Sequence, residues 1–356
     1  MAGISPDIDR MTLAPFARRT AWLSIAYLAA DLLFYAAFVY GAIAAEALWL
    51  KLLFAFGAGT MIALAAIAGH DAGHQSFSNN KDVNRFFGTI AFLPALHPFA
   101  LWEHHHNRVH HRFTAQLGVD NAFPPMTVDQ YRKAPWGRRA YYRFLRSLWG
   151  QPFFYLIDIW VPQMLLPFTQ KEPKMTARVW FDLVLVYAFF VEFILLTTLI
   201  SLTVAGDGDV WSAFANAFVF AFLIPFLVWN AFIAFLSIVQ HTGHDVRWIH
   251  PTGQPSTVEE SLQGTVHVVL PEAIDRLFHR IMQHQAHHIN VGIPLQELKA
   301  AQAALAARNG HRLVHVWTPA YHWRLTRDCQ LYDDKRHAWV RFADADKAAA
   351  TEALAA

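Results

Sequence analysis

Long apolar runs alternate with polar connections along the chain, and four of these runs are long enough to form membrane-spanning helices. A helix needs about 20 predominantly apolar residues to cross a bilayer. The four runs are Ala21–Ala45, Leu48–Gly69, Val179–Val204 and Trp211–Gln240. The pattern therefore predicts an all-α integral membrane protein with four transmembrane helices.

Two further apolar stretches, Phe86–Leu101 and Phe153–Phe168, are shorter and contain prolines. Because short apolar runs are poor candidates for a complete span, we interpret both as interfacial or re-entrant segments that lie on the membrane. A fifth and a sixth span are the alternative that this pattern leaves open.

Basic residues are concentrated on one side of the predicted spans. Arg10, Arg18 and Arg19 precede the first span, and the long connection between the second and third spans carries nine Arg and Lys residues between Arg132 and Arg178. Cytoplasmic connections of membrane proteins are enriched in Lys and Arg. We therefore expect an inner-membrane protein with both termini and the long connection in the cytoplasm.

These assignments divide the chain into three parts. We expect a cytoplasmic N-terminal segment over residues 1–20, a membrane and cap domain over residues 21–298, and a cytoplasmic C-terminal helix and tail over residues 299–356. The run KAAQAALAARNG predicts a helix that ends at Asn309–Gly310. From His311 onward the pattern indicates an irregular tail.

Composition supports a membrane protein and excludes several other classes. Hydrophobic residues make up 55% of the chain and charged residues 16%, whereas soluble proteins carry about 25% charged residues. The net charge of +2 gives no indication of nucleic-acid binding. A single cysteine, Cys329, excludes an internal disulfide framework, a Cys-ligated zinc ribbon and an iron–sulfur cluster of the chain's own. The N-terminal sequence shows no signal-peptide pattern.

Histidines form four clusters that the predicted topology brings to one face of the membrane. The motif GHDAGHQSF lies at the cytoplasmic end of the second span, and QHTGHD lies at the same end of the fourth. The tract EHHHNRVHH falls in the long cytoplasmic connection, and HQAHHIN falls in the C-terminal part. Because spans of even number end on the same side, the four clusters can meet in one plane.

The spacing within the clusters indicates ligands that point the same way. Residues three or four positions apart share one helix face. This relation predicts that His70 lies beside His74 and that His106 lies beside His110, with His111 turned toward a second metal. It also places the set of His284, His287 and His288 on one face. His241 would close the site from the fourth span.

So many candidate ligands exceed what one ion can use, and two metal ions are therefore implied. Imidazole suits iron, copper, nickel and zinc alike, so the ligands alone do not name the metal. Ligating histidines normally donate their second N–H to an acceptor. Asp71, Glu103 and Asp245 lie beside the clusters and are candidates for that role.

These motifs resemble those of the membrane fatty acid desaturase family, in its acyl-lipid, Δ12-like branch. GHDAGHQSF is similar to the first histidine box of the family, HNRVHH to the second, HQAHHINVGIPLQEL to the third, and QHTGHD to the element that follows the fourth span. The resemblance covers Leu48–Leu298. It implies a cytoplasmic helical cap that holds a di-iron centre, O2 as co-substrate, and two electrons from an external ferredoxin or cytochrome-type donor. The catalytic metal ligands that it implies are His70, His74, His106, His110, His111, His241, His284, His287 and His288.

Some residues depart from the family pattern or have several possible roles. His244 is a further ligand, a second partner of a ligand, or unrelated to the site; His104 and His105 are interpreted as supporting or surface residues. Asn107 is placed to bond a metal-bound water. His97 and His279 are interpreted as ordinary polar residues. The tail histidines His311, His315, His322 and His337 lie outside the pattern.

The substrate and the partners are less specific. The resemblance implies a membrane lipid or other acyl chain in an apolar tunnel, to which Phe189, Phe190, Phe193, Phe218, Phe220 and Phe222 are expected to contribute. The basic stretch Arg132–Arg146 fits lipid headgroups or an acidic electron donor. Hydroxylation or ketolation of an acyl chain or carotenoid is the enzymatic alternative, because the same histidine pattern serves those reactions. A membrane metal transporter is a remote alternative, because apart from Lys51 near the first hairpin only Asp31, Asp182 and Glu192 are charged residues inside the spans.

Overall fold

The computed structural model describes residues 6–206, 208–309 and 313–347, and within them the chain is mainly helical. Four described helices are long and apolar enough to cross a membrane: Ala21–Ala44, Leu48–Gly73, Ala177–Val204 and Val210–His241. The four predicted spans are therefore confirmed as helices, each within a few residues of its expected ends. The described parts of the two shorter apolar stretches form no such helix.

The helices and strands follow one another in this order. The first part of the chain contains α1 (Pro6–Leu13), α2 (Ala21–Ala44), α3 (Leu48–Gly73), α4 (Lys81–Phe92), α5 (Phe99–Glu103), α6 (Val128–Lys133) and α7 (Trp136–Leu145). The second part contains α8 (Ala177–Ile200), α9 (Val210–Asn216), α10 (Ile224–His241), α11 (Val258–Gln263), β1 (His267–Val269), α12 (Glu272–Leu277), α13 (His284–Ile289), α14 (Leu295–Asn309), β2 (Val314–Val316), α15 (Pro319–Asp328), β3 (Leu331–Asp333) and β4 (Ala338–Val340). π-Helical segments cover His104–His110, Tyr155–Leu165, Ser201–Ala205 and Ala217–Leu223.

The chain divides into two compact units. The described residues of unit 1 fall within Met1–Ala17, His105–Phe154 and Ala234–Ala356. Unit 2 comprises Arg18–His104 and Tyr155–Ile233. Unit 2 therefore contains most of the four long helices, and unit 1 contains the short helices and strands.

Close helix packing in unit 2 depends on small residues and on one buried ion pair. A side chain at Gly59 of α3 would come within 2.6 Å of the Pro225 carbonyl and would overlap Val228, so glycine allows α3 and α10 to approach closely. Asp182 of α8 is buried, forms an ion pair with Arg85 of α4, and accepts a 2.8 Å hydrogen bond from the Ala100 amide of α5. This charge inside a long helix therefore has a packing role.

Unit 1 is held together by an aromatic core and by a buried arginine. Its core includes the buried residues Tyr131, Tyr142, Leu331, Phe342 and Ala345. The guanidinium of Arg146, which is 2% exposed, donates hydrogen bonds to the carbonyls of Phe123, Pro124 and Cys329 and lies 3.8 Å from the Phe123 ring centroid.

The C-terminal part contains more regular structure than its sequence indicated. Helix α14 ends at Asn309 as expected, whereas Gly310 and His311 lie outside the described residues. The expectation of an irregular tail is wrong for the described residues that follow. Strand β2 pairs in parallel with β1, β3 pairs antiparallel with β4, and α15 begins at the N-cap Thr318. Strands of three residues are too short for the period-two pattern that identifies strands in a sequence.

Candidate metal centre

His70 and His74 lie together at the C-terminal end of α3, in unit 2. Helix α3 continues through Gly73, and His74 is its C-cap residue with φ −83° and ψ 2°. The two imidazole rings are 4.5 Å apart between centroids and nearly perpendicular, and both contact Trp102. A side chain at Gly73 would overlap the Trp102 ring, so this glycine allows the tryptophan to pack against the end of the helix. The predicted pairing of His70 with His74 is confirmed.

A π-helix sets the register of the histidine tract in unit 1. The His111 amide donates to the His106 carbonyl at 2.9 Å, which is the i→i+5 hydrogen bond of a π-turn. This wider turn brings the Nε2 atoms of His106 and His111 to 3.0 Å of each other. The rings of His106 and His110 are neighbours as the sequence predicts, 5.3 Å apart between centroids. The expectation that His111 turns away from His106 is wrong, because it assumed the spacing of an α-helix, whereas the π-turn brings the two rings together.

His106 and His111 are joined by His287 of α13. The Nε2 atoms of His287 and His111 are 3.1 Å apart. Each of these three rings therefore presents a nitrogen to the same small volume. We name His106, His111 and His287 the first histidine group.

A second histidine group lies entirely within unit 1 and consists of His110, His241, His284 and His288. One ligand nitrogen from each ring lies within 4.8 Å of the others. The Nε2 atom of His284 is 2.9 Å from that of His241 and 2.9 Å from that of His288. The His110 ring is 4.6 Å from the His241 ring and 4.9 Å from the His288 ring. Four imidazoles from the histidine tract, α10 and α13 thus converge.

Helix α13 contributes to both groups. His284 and His288, four residues apart, enter the second group, whereas His287 enters the first. The three rings lie within 5.8 Å of one another, so the prediction that they share one helix face is confirmed. That face lies between the two groups.

Three histidines of the second group direct their outer nitrogen to an oxygen atom. The Nδ1 of His110 lies 2.8 Å from Asp120 Oδ1, that of His241 lies 3.1 Å from the Gly264 carbonyl, and that of His288 lies 3.2 Å from Thr114 Oγ1. For His110 and His241 the acceptor requires a proton on Nδ1, which leaves the lone pair on Nε2, facing the other rings.

Asp120 is the site residue that the sequence did not indicate. It is 2% exposed, and besides His110 it accepts hydrogen bonds from the amides of Ala115 at 2.7 Å and Ala122 at 3.0 Å. Burial alone would raise the pKa of its carboxyl group, but His110 and the hydrogen bonds hold that pKa below its ordinary value. An aspartate in the turn-like sequence GVDNAFPP was the available signal.

The structure gives the following neighbours for the three carboxylates that the sequence suggested for this role. Asp71 Oδ1 is 3.9 Å from His70 Nδ1, which is beyond hydrogen-bonding distance. Glu103 pairs with Arg178 at 2.5 Å, and Asp245 lies 3.9 Å from His315.

The second group has the donor set of a metal site. Burial lowers the pKa of His288 well below its ordinary value, and the neighbouring histidines lower it further. Neutral imidazoles with inward lone pairs 2.9 Å apart repel one another unless a proton or a cation lies between them. Imidazole ligands whose outer N–H is held by a carboxylate or a carbonyl are the usual arrangement around metals. The residues present thus fit a transition-metal ion.

Five other described histidines that the sequence singled out lie outside both groups: His97, His104, His105, His244 and His279. The His244 side chain is 48% exposed and lies 3.4 Å from Asp328. His105 is buried and His104 is half-buried. His97 is buried in unit 2 among aromatic rings, and His279 has a left-handed backbone conformation.

An apolar groove lies among the long helices of unit 2. The groove is narrow: its cavity volume is about 10 Å³, within about 250 Å³ of unfilled space that includes the open surroundings. Its walls consist almost wholly of aromatic and aliphatic side chains: Tyr35, Ile62, Pro94, Leu96, Phe189, Phe190, Phe193, Ala221, Phe222 and Phe226. Four of the phenylalanines expected to contribute to an acyl tunnel, at positions 189, 190, 193 and 222, are among them.

Comparison with known proteins agrees with this arrangement. Residues 47–320 match the family described as fatty acid desaturase. The chain is 31% identical over 293 residues to the sn-1 oleoyl-lipid 12-desaturase of Synechocystis sp., which covers 81% of this chain and 78% of that protein. It is also 31% identical over 304 residues to the protein of the same name from Picosynechococcus sp., with 82% and 79% covered.

The chain is also similar to a plant desaturase. The chain is 32% identical over 302 residues to the chloroplastic omega-6 fatty acid desaturase of Spinacia oleracea, and the match covers 81% of this chain and 61% of that protein.

Proposed function

The chain belongs to the fatty acid desaturase family, and from this premise we propose that it inserts a double bond at the Δ12 position of an oleoyl chain carried by a membrane lipid. That it is an O2-dependent fatty acyl desaturase follows from the family and from its named relatives. The observation that supports the position and the lipid carrier is the similarity to two sn-1 oleoyl-lipid 12-desaturases over about four-fifths of the chain.

The reaction removes one hydrogen atom from each of two adjacent methylene groups. O2 accepts these two hydrogens together with two electrons and two protons, and the products are one double bond and two molecules of water. The two electrons come from a separate ferredoxin or cytochrome-type donor, which we propose to dock on the cytoplasmic face.

We propose that two iron ions occupy the two histidine groups. The second group would hold one ion with His110, His241, His284 and His288. The first group would hold the other ion with His106, His111 and His287. We also propose His70 and His74 as iron ligands, because they match the first histidine box of the family. Bound iron supplies the activation of O2 that removal of hydrogen from an unactivated methylene group requires.

The protein's contribution is to hold the ligands in place. Asp120 and the Gly264 carbonyl fix the tautomers of His110 and His241, and the π-turn sets the separation of His106 from His111. Removing such an outer partner typically lowers metal affinity or activity 10–100-fold.

We propose that the groove in unit 2 receives the methyl end of the acyl chain. Its wall is apolar, as a hydrocarbon requires, and Ile62 belongs to the same helix as His70. Eight residues of α-helix separate them, which corresponds to about 12 Å along α3. A chain whose end lies in the groove would thus have its middle near the end of α3.

For the membrane placement and the domain boundaries, we propose the arrangement that the sequence suggests. We propose an inner-membrane enzyme with the active site and both termini in the cytoplasm, supported by the distribution of Arg and Lys. In this proposal residues 1–20 form an N-terminal segment, residues 21–298 form the membrane and cap domain, and residues 299–356 form the C-terminal helix and tail.

Fatty-acid profiling tests the proposal. The chain is expressed in a host that makes oleate but no polyunsaturated lipids, together with a ferredoxin and its reductase. Lipid acyl chains are then analysed by gas chromatography–mass spectrometry. We expect linoleate in the wild type and none in His287→Ala.

A matched control uses an exposed histidine that belongs to neither group. His250→Ala changes a side chain that is 66% exposed and contacts Asp334, and it should produce as much linoleate as the wild type. A double bond at another position would overturn the Δ12 assignment, and an oxygenated acyl product would identify a hydroxylase. Absence of any acyl product from an iron-loaded, reduced enzyme would overturn the proposal altogether.

A further inference from the structure

Leu96 has a left-handed backbone conformation in the turn that follows α4. Its φ is +52°. The His97 amide donates to the Phe92 carbonyl at 3.1 Å, and the Leu96 amide donates to the Leu93 carbonyl at 2.9 Å. This pair of hydrogen bonds defines a Schellman motif, whose left-handed position is usually occupied by glycine. A leucine there is strained, because its Cβ approaches the backbone too closely.

The surrounding aromatic residues hold this turn in place. Trp160 donates its indole N–H to the Leu96 carbonyl at 3.1 Å. The His97 ring stacks with the rings of Phe92 and Tyr155, each 5.8 Å away between centroids. It lies 2.6 Å from the Ala95 carbonyl through Nδ1 and 2.9 Å from the Tyr155 hydroxyl through Nε2.

His97 is neutral, which suits this arrangement. Burial lowers its pKa to about 4 even though the bond to the Ala95 carbonyl opposes the shift. Nδ1 therefore donates to that carbonyl, and Nε2 accepts from the Tyr155 hydroxyl. The two short apolar stretches that the sequence singled out are thus bonded to each other here, and they fix the conformation of Leu96.

The strained residue is also part of the groove wall. Leu96 and Pro94 are both buried and line the groove. Among the lining residues, only Tyr35 has a polar group in its side chain, the hydroxyl. Trp160, which holds the Leu96 carbonyl, packs at 4.8 Å against the ring of Phe226, another wall residue. Glycine would form the same turn without strain, but it has no side chain to complete the groove wall. The strained leucine is therefore explained by the wall that its side chain provides. Strain of this kind commonly marks functional sites.

We infer that Leu96 determines which acyl chains the enzyme accepts, by limiting the space for the methyl end in the groove. This inference rests on the proposed function, because it requires that the groove receives an acyl chain. His97, Tyr155 and Trp160 act through Leu96 as positioning residues.

The test compares acyl chains that differ only at the methyl end. Palmitoleate, oleate and gadoleate are identical from the carboxyl group to the existing double bond, and each is supplied to cells that express the wild type, Leu96→Ala or Leu96→Gly. Conversion of each chain is measured by gas chromatography–mass spectrometry. One methylene group in an apolar pocket changes specificity by roughly tenfold or more. We therefore expect both variants to raise gadoleate conversion relative to oleate by at least about tenfold.

Thermal unfolding distinguishes the loss of the Leu96 side chain from the relief of backbone strain. Both variants remove the same wall, but only glycine relieves the left-handed conformation. Leu96→Gly should therefore unfold at a higher temperature than Leu96→Ala, the reverse of the usual order for these two residues. The control His337→Gly changes another residue with positive φ, at +51° in the β3–β4 connection, and should leave the chain-length ratio unchanged.

The role of Leu96 and the proposed desaturase function would be contradicted by different results. If both variants convert oleate and the gadoleate-to-oleate ratio equals that of the wild type, the role of Leu96 is refuted while the proposed function stands. If the wild type converts none of the three chains, the proposed function fails. Should one variant not fold, the other still decides the question, because either one opens the groove.

Discussion

Asp120 offers the sharpest test of how the second histidine group is held. Its carboxylate accepts three hydrogen bonds: Oδ1 accepts from His110 Nδ1 at 2.8 Å and from the Ala122 amide at 3.0 Å, and Oδ2 accepts from the Ala115 amide at 2.7 Å. Every one of these partners is a donor. A carboxylate is the only side chain of this size that accepts at both oxygens.

The substitution Asp120→Asn changes one oxygen to an NH2 group and nothing else. If the amide oxygen faces His110, the NH2 group faces the Ala115 amide and one donor loses its partner. If the amide is flipped, His110 loses its acceptor and must carry its proton on Nε2, where the lone pair for a metal would be. Each orientation therefore leaves either the Ala115 amide or His110 without its acceptor.

The magnitudes follow from these two orientations. One buried unsatisfied donor costs about 1–3 kcal/mol in the free energy of unfolding. Loss of a ligand's outer partner lowers metal affinity or activity about 10–100-fold. We expect Asp120→Asn to show both effects, measured by denaturant unfolding, by iron content and by linoleate formation. Asp129→Asn, which changes an exposed aspartate at the start of α6, should show neither.

The reasoning would be refuted by an Asp120→Asn protein with wild-type iron content and wild-type linoleate formation. Loss of stability with unchanged iron content would restrict Asp120 to a structural role in the turn.

Four further substitutions test the packing and the extent of the site. Gly59→Ala should lower the free energy of unfolding by about 1–3 kcal/mol because the new methyl group overlaps Val228. Gly137→Ala in α7 should raise the free energy of unfolding by about 0.5–1 kcal/mol, because its methyl group meets nothing within 4 Å. Denaturant unfolding of both variants measures this difference. Arg146→Leu should lower the free energy of unfolding by about 2–3 kcal/mol, since three carbonyls lose a charged donor, and equal stability would contradict the role assigned to the arginine. His244→Ala should keep the iron content and activity of the wild type, because this half-exposed side chain lies outside both histidine groups, and loss of iron would place it among the ligands.

The sequence predicted the long helices well because each depends on a local property. A continuous apolar run of sufficient length has few alternatives to a helix in a membrane, and Ala21–Ala44 and Leu48–Gly73 begin at the expected residues. The pairing of His70 with His74 was predictable for the same reason, since it depends on helical spacing alone.

Features that depend on tertiary contacts or on unusual turns could not be predicted from the pattern of hydrophobic and polar residues. The approach of His111 to His106 depends on a π-turn, which no simple periodicity reveals. Asp120 reaches His110 through the fold of a loop, and its ten-residue separation carries no recognisable signal. Strand β1 pairs with β2 across more than forty residues, so neither strand could be identified from its own three residues.

The most direct test of the account is the iron content of the purified, membrane-reconstituted protein, measured by elemental analysis on preparations that are also assayed for linoleate formation. The account predicts two tightly bound irons per chain in the wild type and in His250→Ala. In His284→Ala, which removes a ligand of the second group, it predicts fewer than two irons and no linoleate. A wild-type enzyme that forms linoleate with one iron or none, or a His284→Ala variant that keeps both irons and full activity, would contradict it.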